Sequence, residues 1–193
     1  MIIFKLIFLV SNTFLSSPHP LLSPQEDVLF IGKSTGTQDI LVETSYPLFC
    51  RLRDTADIAL INEADCRGFV LTAAVPSSGK GEDGGEDAVG DMERRLGTLE
   101  ERPQFVSRFF CPRVGIDEDP VTGSAHCHLG PYWKAKFNTE KGSGRTWGTS
   151  ALPLVAFQAS PRGGLLRVSV DDEGGRVSLR GGAVTTSKGE LWR

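Results

Sequence analysis

Between residues 115 and 133 the chain reads GIDEDPVTGSAHCHLGPYW: three adjacent carboxylates, a proline, a Gly-Ser step and an apolar run at helical spacing. Two readings follow from the chemistry of these residues. In the first, Asp119 caps a helix whose first position is Pro120, a common helix start. Gly123 then falls in or just beyond the first turn, at a cost of up to about 1 kcal/mol relative to alanine. In the second, the helix starts near Gly123 and Ser124. The N–H groups of Gly123, Ser124 and Ala125 then face whatever lies ahead, and the helix dipole favours an anion there. Glycine admits close backbone approach, the Ser124 hydroxyl adds a donor, and Asp119 stands where it can accept or return a proton. Residue chemistry alone leaves capping and site at equal weight.

Other reactive types point less clearly. His126 and His128 flank Cys127, but two residues apart on a helix they diverge by about 200° and cannot share a metal. Cys50, Cys66, Cys111 and Cys127 lie far apart with no C-x-x-C pair, and there are three histidines. That pattern argues against zinc and for reduced thiols in a cytoplasmic protein. Cys111 and Cys127 read as buried small apolar side chains, and His126 and His128 as polar or core residues. Arg162 and Arg180 each precede a Gly-Gly step; either could meet an anion, but such arginines are usually solvated.

The elements that must position this stretch are mostly strands. DVLFIGKS (residues 27–34) and DILVETS (39–45) read as an antiparallel pair about a turn. DTADIALINEADCRG (54–68) has Ile58, Ile61 and Ala64 at helical spacing and Gly68 as a stop. GFVLTAAV (68–75) reads as a buried strand, and FVSRFFCP (105–112) as a strand leading into the acidic turn. Ala125, Leu129, Tyr132, Trp133 and Phe137 form the clearest helical face, with a kink or early break expected at Pro131. LPLVAFQAS, GLLRVSV, GRVSLR and AVTTSKGELW read as strands, with DDEGG as a hairpin turn. The two Arg-Gly-Gly steps are each expected to open a strand. The resulting class is α+β, a mainly antiparallel sheet rolled around one central helix.

Residues 76–101 carry eight acidic side chains against Lys80, Arg94 and Arg95. Little apolar surface is available there, so the segment reads as a disordered, solvated insertion. The amino terminus is different: MIIFKLIFLV is almost wholly apolar. It is shorter than the roughly 20 residues of a membrane span, so no stable anchor is expected. A buried first strand or a misplaced gene boundary accounts for it, with a secretory signal over residues 1–20 as the minority alternative, since no basic region precedes it. The whole chain has 193 residues and a net charge of −3, which offers no clustered basic face for nucleic acid.

FCPRVGIDEDPVTGSAHCHLGPYW closely resembles the signature of the PhzF-like family, the phenazine-biosynthesis-type isomerases. DVLFIGKSTGTQDILVE and RGFVLTA resemble its preceding strands, and VAFQASPRGGLLRVSV and GRVSLRGGAVTTSKGELW its closing ones. The resemblance covers residues 21–193 apart from the acidic insertion, making that span one carboxy-terminal domain. It implies the fold of diaminopimelate epimerase, in which two similar halves each roll a sheet around a helix and the active site lies between them. It also implies cofactor-independent proton transfer on a small carboxylate substrate. On that pattern Asp119 is the catalytic residue, and Thr122, Gly123, Ser124 and Ala125 bind the substrate.

The departure is equally specific. The amino-terminal half of the family supplies the principal acid/base glutamate and a glycine-histidine step. Neither is found in residues 1–26, where Glu26 and His19 lack the surrounding motif. The chain is therefore expected to hold one wall of a two-walled site, with β-strands left over from an absent half. A homodimer or a complementing amino-terminal half would complete it; a non-catalytic half-domain or anion-binding module is the alternative.

Overall fold

The computed structural model of the protein describes residues 27–52, 58–77, 88–139 and 147–190. The apolar amino-terminal segment and the acidic centre of the expected insertion, residues 78–87, lie outside the described residues.

One mixed sheet organises the chain. Its seven strands are β1 (Val28–Lys33), β2 (Ile40–Thr44), β3 (Phe69–Ala74), β4 (Phe105–Phe110), β5 (Leu154–Gln158), β6 (Gly164–Asp171) and β7 (Arg176–Gly181), in that spatial order. Pairing is antiparallel except between β2 and β3 and between β4 and β5, which are parallel. Parallel neighbours need a crossover, and each crossover here carries helix. The first holds α1 (Tyr46–Arg51) and α2 (Ile58–Glu63); α3 (Ala88–Leu96) lies between β3 and β4; the second crossover holds α4 (Gly123–Thr139). No helix among the described residues is long and apolar enough to cross a membrane.

The period of two along each strand divides the core between the two faces. Val42, Phe69, Leu71, Val106, Phe110 and Phe157 face α1 to α3. Val70, Phe105, Phe109, Leu154, Ala156 and Val168 face α4, where they meet Ala125, Leu129 and Trp133. The sheet curls around α4 from both edges. At one edge Phe30 of β1 packs on Tyr132, with ring centroids 5.2 Å apart. At the other, β6 and β7 approach so closely that a Cβ on Gly130 would lie 2.7 Å from Val168 Cγ1.

Several expectations need correction. Residues 88–101 do not form a solvated insertion: α3 buries Met92 and Leu96, spaced for one helical face, in the core. Arg95 extends from it over the Phe157 ring, 4.9 Å from the centroid, and donates to the Ala159 carbonyl at 3.3 Å. The high charge of this segment masked two well-placed apolar residues. Helix α4 runs through Pro131 to Thr139 without stopping, because Pro131 sits on its exposed side and forfeits one N–H. Residues 182–190 are irregular and exposed rather than a closing strand, so the second Arg-Gly-Gly step ends β7 instead of opening a strand. Cys127 is exposed, unlike the buried Cys50, Cys66 and Cys111. Helix α1, six residues long, is too short to show an apolar period in the sequence; Ser45 caps it, accepting from Leu48 N at 3.3 Å.

Candidate active site

Each of the three carboxylates in the acidic turn has a different surrounding. Asp117 is exposed. Glu118 turns back to the face of the sheet carrying α1, where Arg108 Nε and Nη2 donate to its two oxygens at 2.7 and 2.8 Å. Asp119 turns the other way, toward the head of α4, and its backbone N–H donates to Phe109 O at 3.0 Å.

The helix begins at Gly123, with Thr122 O accepting from His126 N at 3.3 Å, so Thr122 occupies the capping position. Its hydroxyl donates to Asp119 Oδ2 and accepts from Gln158 Nε2. Asp119 is thus not the simple cap of the first reading; the start near Gly123 and Ser124 is the one observed. The N–H groups of Gly123, Ser124 and Ala125 belong to the first turn, where no carbonyl of the same helix can receive them.

A residue not singled out from sequence stands beside them. Arg67, on the turn before β3, donates to Ser124 Oγ at 3.2 Å. Asp39, buried at 2% exposure, grips the same guanidinium at 3.0 and 2.5 Å, and the Phe109 ring lies beneath it, its centroid 5.5 Å away. The hydrogen bond to Asp39 raises the Arg67 pKa further, so the group stays protonated. Its charge is balanced by Asp39, and it therefore offers directed donors rather than an unpaired cation.

Behind the acidic turn the structure is tightly tied. Gln158, fully buried, accepts from Thr122 N at 2.7 Å and donates to Asp119 O at 2.6 Å and to Thr122 Oγ1 at 3.1 Å. Ser160 Oγ donates to Pro120 O at 2.7 Å. The first Arg-Gly-Gly step packs against the same turn: Gly163 has φ +72°, and a Cβ on Gly164 would lie 2.3 Å from Val121 Cγ2. Arg162 itself is exposed, as expected.

Register places Gln158 in a buried polar row that crosses four strands under α4. Glu43 pairs with Thr72, Thr72 with Ser107, and Ser107 with Gln158. The helix answers most of the row: Lys136 Nζ donates to both Glu43 oxygens at 2.6 Å, Tyr132 OH donates to Glu43 as well, and Trp133 Nε1 donates to Thr72 Oγ1 at 3.1 Å. His126 is fully buried and joined to Thr122 O through Nδ1 at 2.8 Å, which fixes the Nδ1–H tautomer. Burial lowers its pKa, so the ring is neutral. His128 instead lies on another side of the helix, 3.0 Å from Thr37 Oγ1. Burial pushes the Cys111 thiol pKa up and the nearby Asp119 charge adds to it, which leaves Cys111 a poor nucleophile.

A sheet rolled about one long helix, with an acid and a row of backbone donors at the helix head, defines half of a diaminopimelate-epimerase-like architecture. Comparison with known proteins agrees with that class and narrows it. The model of the family described as phenazine biosynthesis-like protein matches residues 87–189. An uncharacterized isomerase of Halalkalibacterium halodurans is 47% identical over 164 residues, 84% of this chain and 46% of that protein. A phenazine biosynthesis-like domain-containing protein of Mus musculus is 38% identical over 65% of this chain and 32% of its own. Among solved structures, a phenazine biosynthesis protein of the PhzF family from Enterococcus faecalis superposes with a TM-score of 0.52 at 25% identity, over 86% of this chain and 51% of that one. The chain belongs to the phenazine biosynthesis-like family, and it spans about half the length of the Halalkalibacterium relative.

Proposed function

We propose that this chain supplies one wall of an isomerase site that moves a proton on a small carboxylate substrate without a cofactor. Asp119 handles the proton. Gly123, Ser124 and Ala125 present backbone donors to the substrate carboxylate, Thr122 orients Asp119, and Arg67 extends the donor set through Ser124. The isomerase named among the relatives supports the reaction class.

One observation carries the binding assignment. Gly123 has ordinary negative-φ backbone, and a Cβ there would meet only Leu179 Cδ1, at 3.7 Å. Neither packing nor backbone geometry asks for glycine, so close approach by a ligand is the remaining reason for one at an exposed helix head.

Proton transfer at carbon needs one group to remove the proton and another to return it. Near Asp119, Asp39 is engaged by Arg67 and Glu118 by Arg108, while Asp117 is exposed to solvent on the loop. The second acid/base group is therefore assigned to a facing wall, either an amino-terminal half of the family type, in the same polypeptide or a separate one, or a second copy of this chain. Val114 and Ile116, exposed on the loop leading to Asp119, are suited to meet it.

Succinate titrated into the isotopically labelled protein, followed by amide NMR, tests the wall itself. Shifts centred on residues 122–126 that vanish in Gly123→Val support it; equal binding by that variant refutes it. Adding the amino-terminal half of an intact relative should then generate turnover that Asp119→Asn lowers. Robust turnover by monomeric residues 1–193 alone would show that the second group lies within this chain.

A further inference from the structure

We propose that Gln158 is the positioning residue of this site, fixing where the Asp119 carboxylate points relative to the donors heading α4. The proposal rests on the reading of Asp119 and the helix head as one substrate site.

The geometry leaves the Gln158 carboxamide one orientation. Its Oε1 receives the Thr122 N–H, while its two Nε2 protons go to Asp119 O and Thr122 Oγ1. Reversing the amide would set NH2 against the Thr122 N–H and oxygen against the Asp119 carbonyl, losing these bonds at once. The side chain therefore spans the turn from Asp119 to Thr122 at both ends, through backbone atoms as well as a hydroxyl.

The third bond has a directional consequence. Once Oγ1 accepts from Gln158, the Thr122 hydroxyl proton is turned away from β5 and donated to Asp119 Oδ2. A relay of two donors, carboxamide to hydroxyl to carboxylate, thus holds the proposed catalytic oxygen in one position. Gln158 is itself held by the sheet: it ends β5, pairs with Ser107 on one side and with Gly164 on the other, and is fully buried. It touches no part of the helix-head opening, so its effect on a substrate passes through Asp119 and Thr122.

Two variants separate positioning from mere folding. Gln158→Met keeps the length and removes all three bonds; Gln158→Glu keeps an acceptor for Thr122 N–H and removes both donors. Gln104→Met is the control, because Gln104 makes a comparable bond to Val155 N, 2.5 Å, at the other end of β5. In both Gln158 variants the Thr122 amide resonance should move, and succinate should bind about tenfold more weakly, the loss of roughly one well-placed interaction. Gln104→Met should lower the melting temperature without altering succinate affinity.

An unmoved Thr122 amide in either folded Gln158 variant overturns the proposal. So does unchanged succinate affinity in both, or a loss that Gln104→Met reproduces. If Gln158→Met does not fold, Gln158→Glu and Thr122→Val carry the same test, the latter removing only the relay hydroxyl. Failure of the unmodified protein to bind succinate instead refutes the site reading, and the Thr122 shift still reports whether Gln158 holds the turn.

Discussion

Arg67 and Ser124 meet at 3.2 Å although 57 residues separate them, joining the turn before β3 to the head of α4. The contact makes the carboxyl end of one parallel crossover part of the donor set at the start of the other. Arg67→Met should weaken succinate binding while the fold persists. It should also cost about 1–3 kcal/mol, because buried Asp39 loses its partner, with the solvent access of Arg67 limiting the loss. Urea unfolding measures the second effect and NMR titration the first.

The two glycines of α4 should respond to alanine to different extents. At Gly130 the new methyl collides with Val168 and crowds Val170 and Val177, so Gly130→Ala should destabilise by about 1–3 kcal/mol. At Gly123 the methyl meets only Leu179 at an ordinary contact distance, and stability should change by no more than about 1 kcal/mol. Chemical denaturation of the two variants side by side checks the contrast.

Helix α3 belongs to the core despite its acidic neighbourhood. Met92→Ala and Leu96→Ala should each cost about 2–5 kcal/mol, as truncations of fully buried side chains do. Substitution of exposed Glu100 should change little. A thermal-unfolding series shows whether the helix is structural or dispensable.

Stability should depend on pH through His126. Burial lowers its pKa in the folded protein below the ordinary value of 6.5, so on acidification the unfolded chain takes up the proton first. Stability is then complete at neutral pH, falls as pH drops below about 6.5, and levels off once the folded protein is protonated. The slope attributable to this one proton is at most about 1.4 kcal/mol per pH unit. Urea unfolding at pH 7, 6 and 5 should show a flatter dependence in His126→Gln than in the unmodified protein.

Most strands were readable because their apolar residues are continuous and local. Phe69–Ala74, buried between two strands and two faces, carries its assignment in six residues. The α4 face was readable for the same reason, since Ala125, Leu129 and Trp133 recur at the helical period. Helix α3 was not, because its two buried positions are outnumbered by charges whose solvation is visible only once Met92 and Leu96 have a core to enter. Residues 182–190 show the converse, strand-like side chains with no strand among the described residues pairing with them.

The same division runs through the site. The DPVTGSA stretch by itself narrowed the helix start to Pro120 or Gly123, because glycine, serine and a preceding acid act over a few bonds, and the folded chain selected Gly123. The sequence did not determine which of Asp117, Glu118 and Asp119 faces that opening, since three adjacent carboxylates are chemically alike. Tertiary structure decided it: buried Arg108 draws Glu118 to one face of the sheet, while Gln158 and Thr122 hold Asp119 on the other. Arg67 and Gln158 reach the acidic turn and the head of α4 only through strand register and crossover, which bring together positions that no local spacing relates.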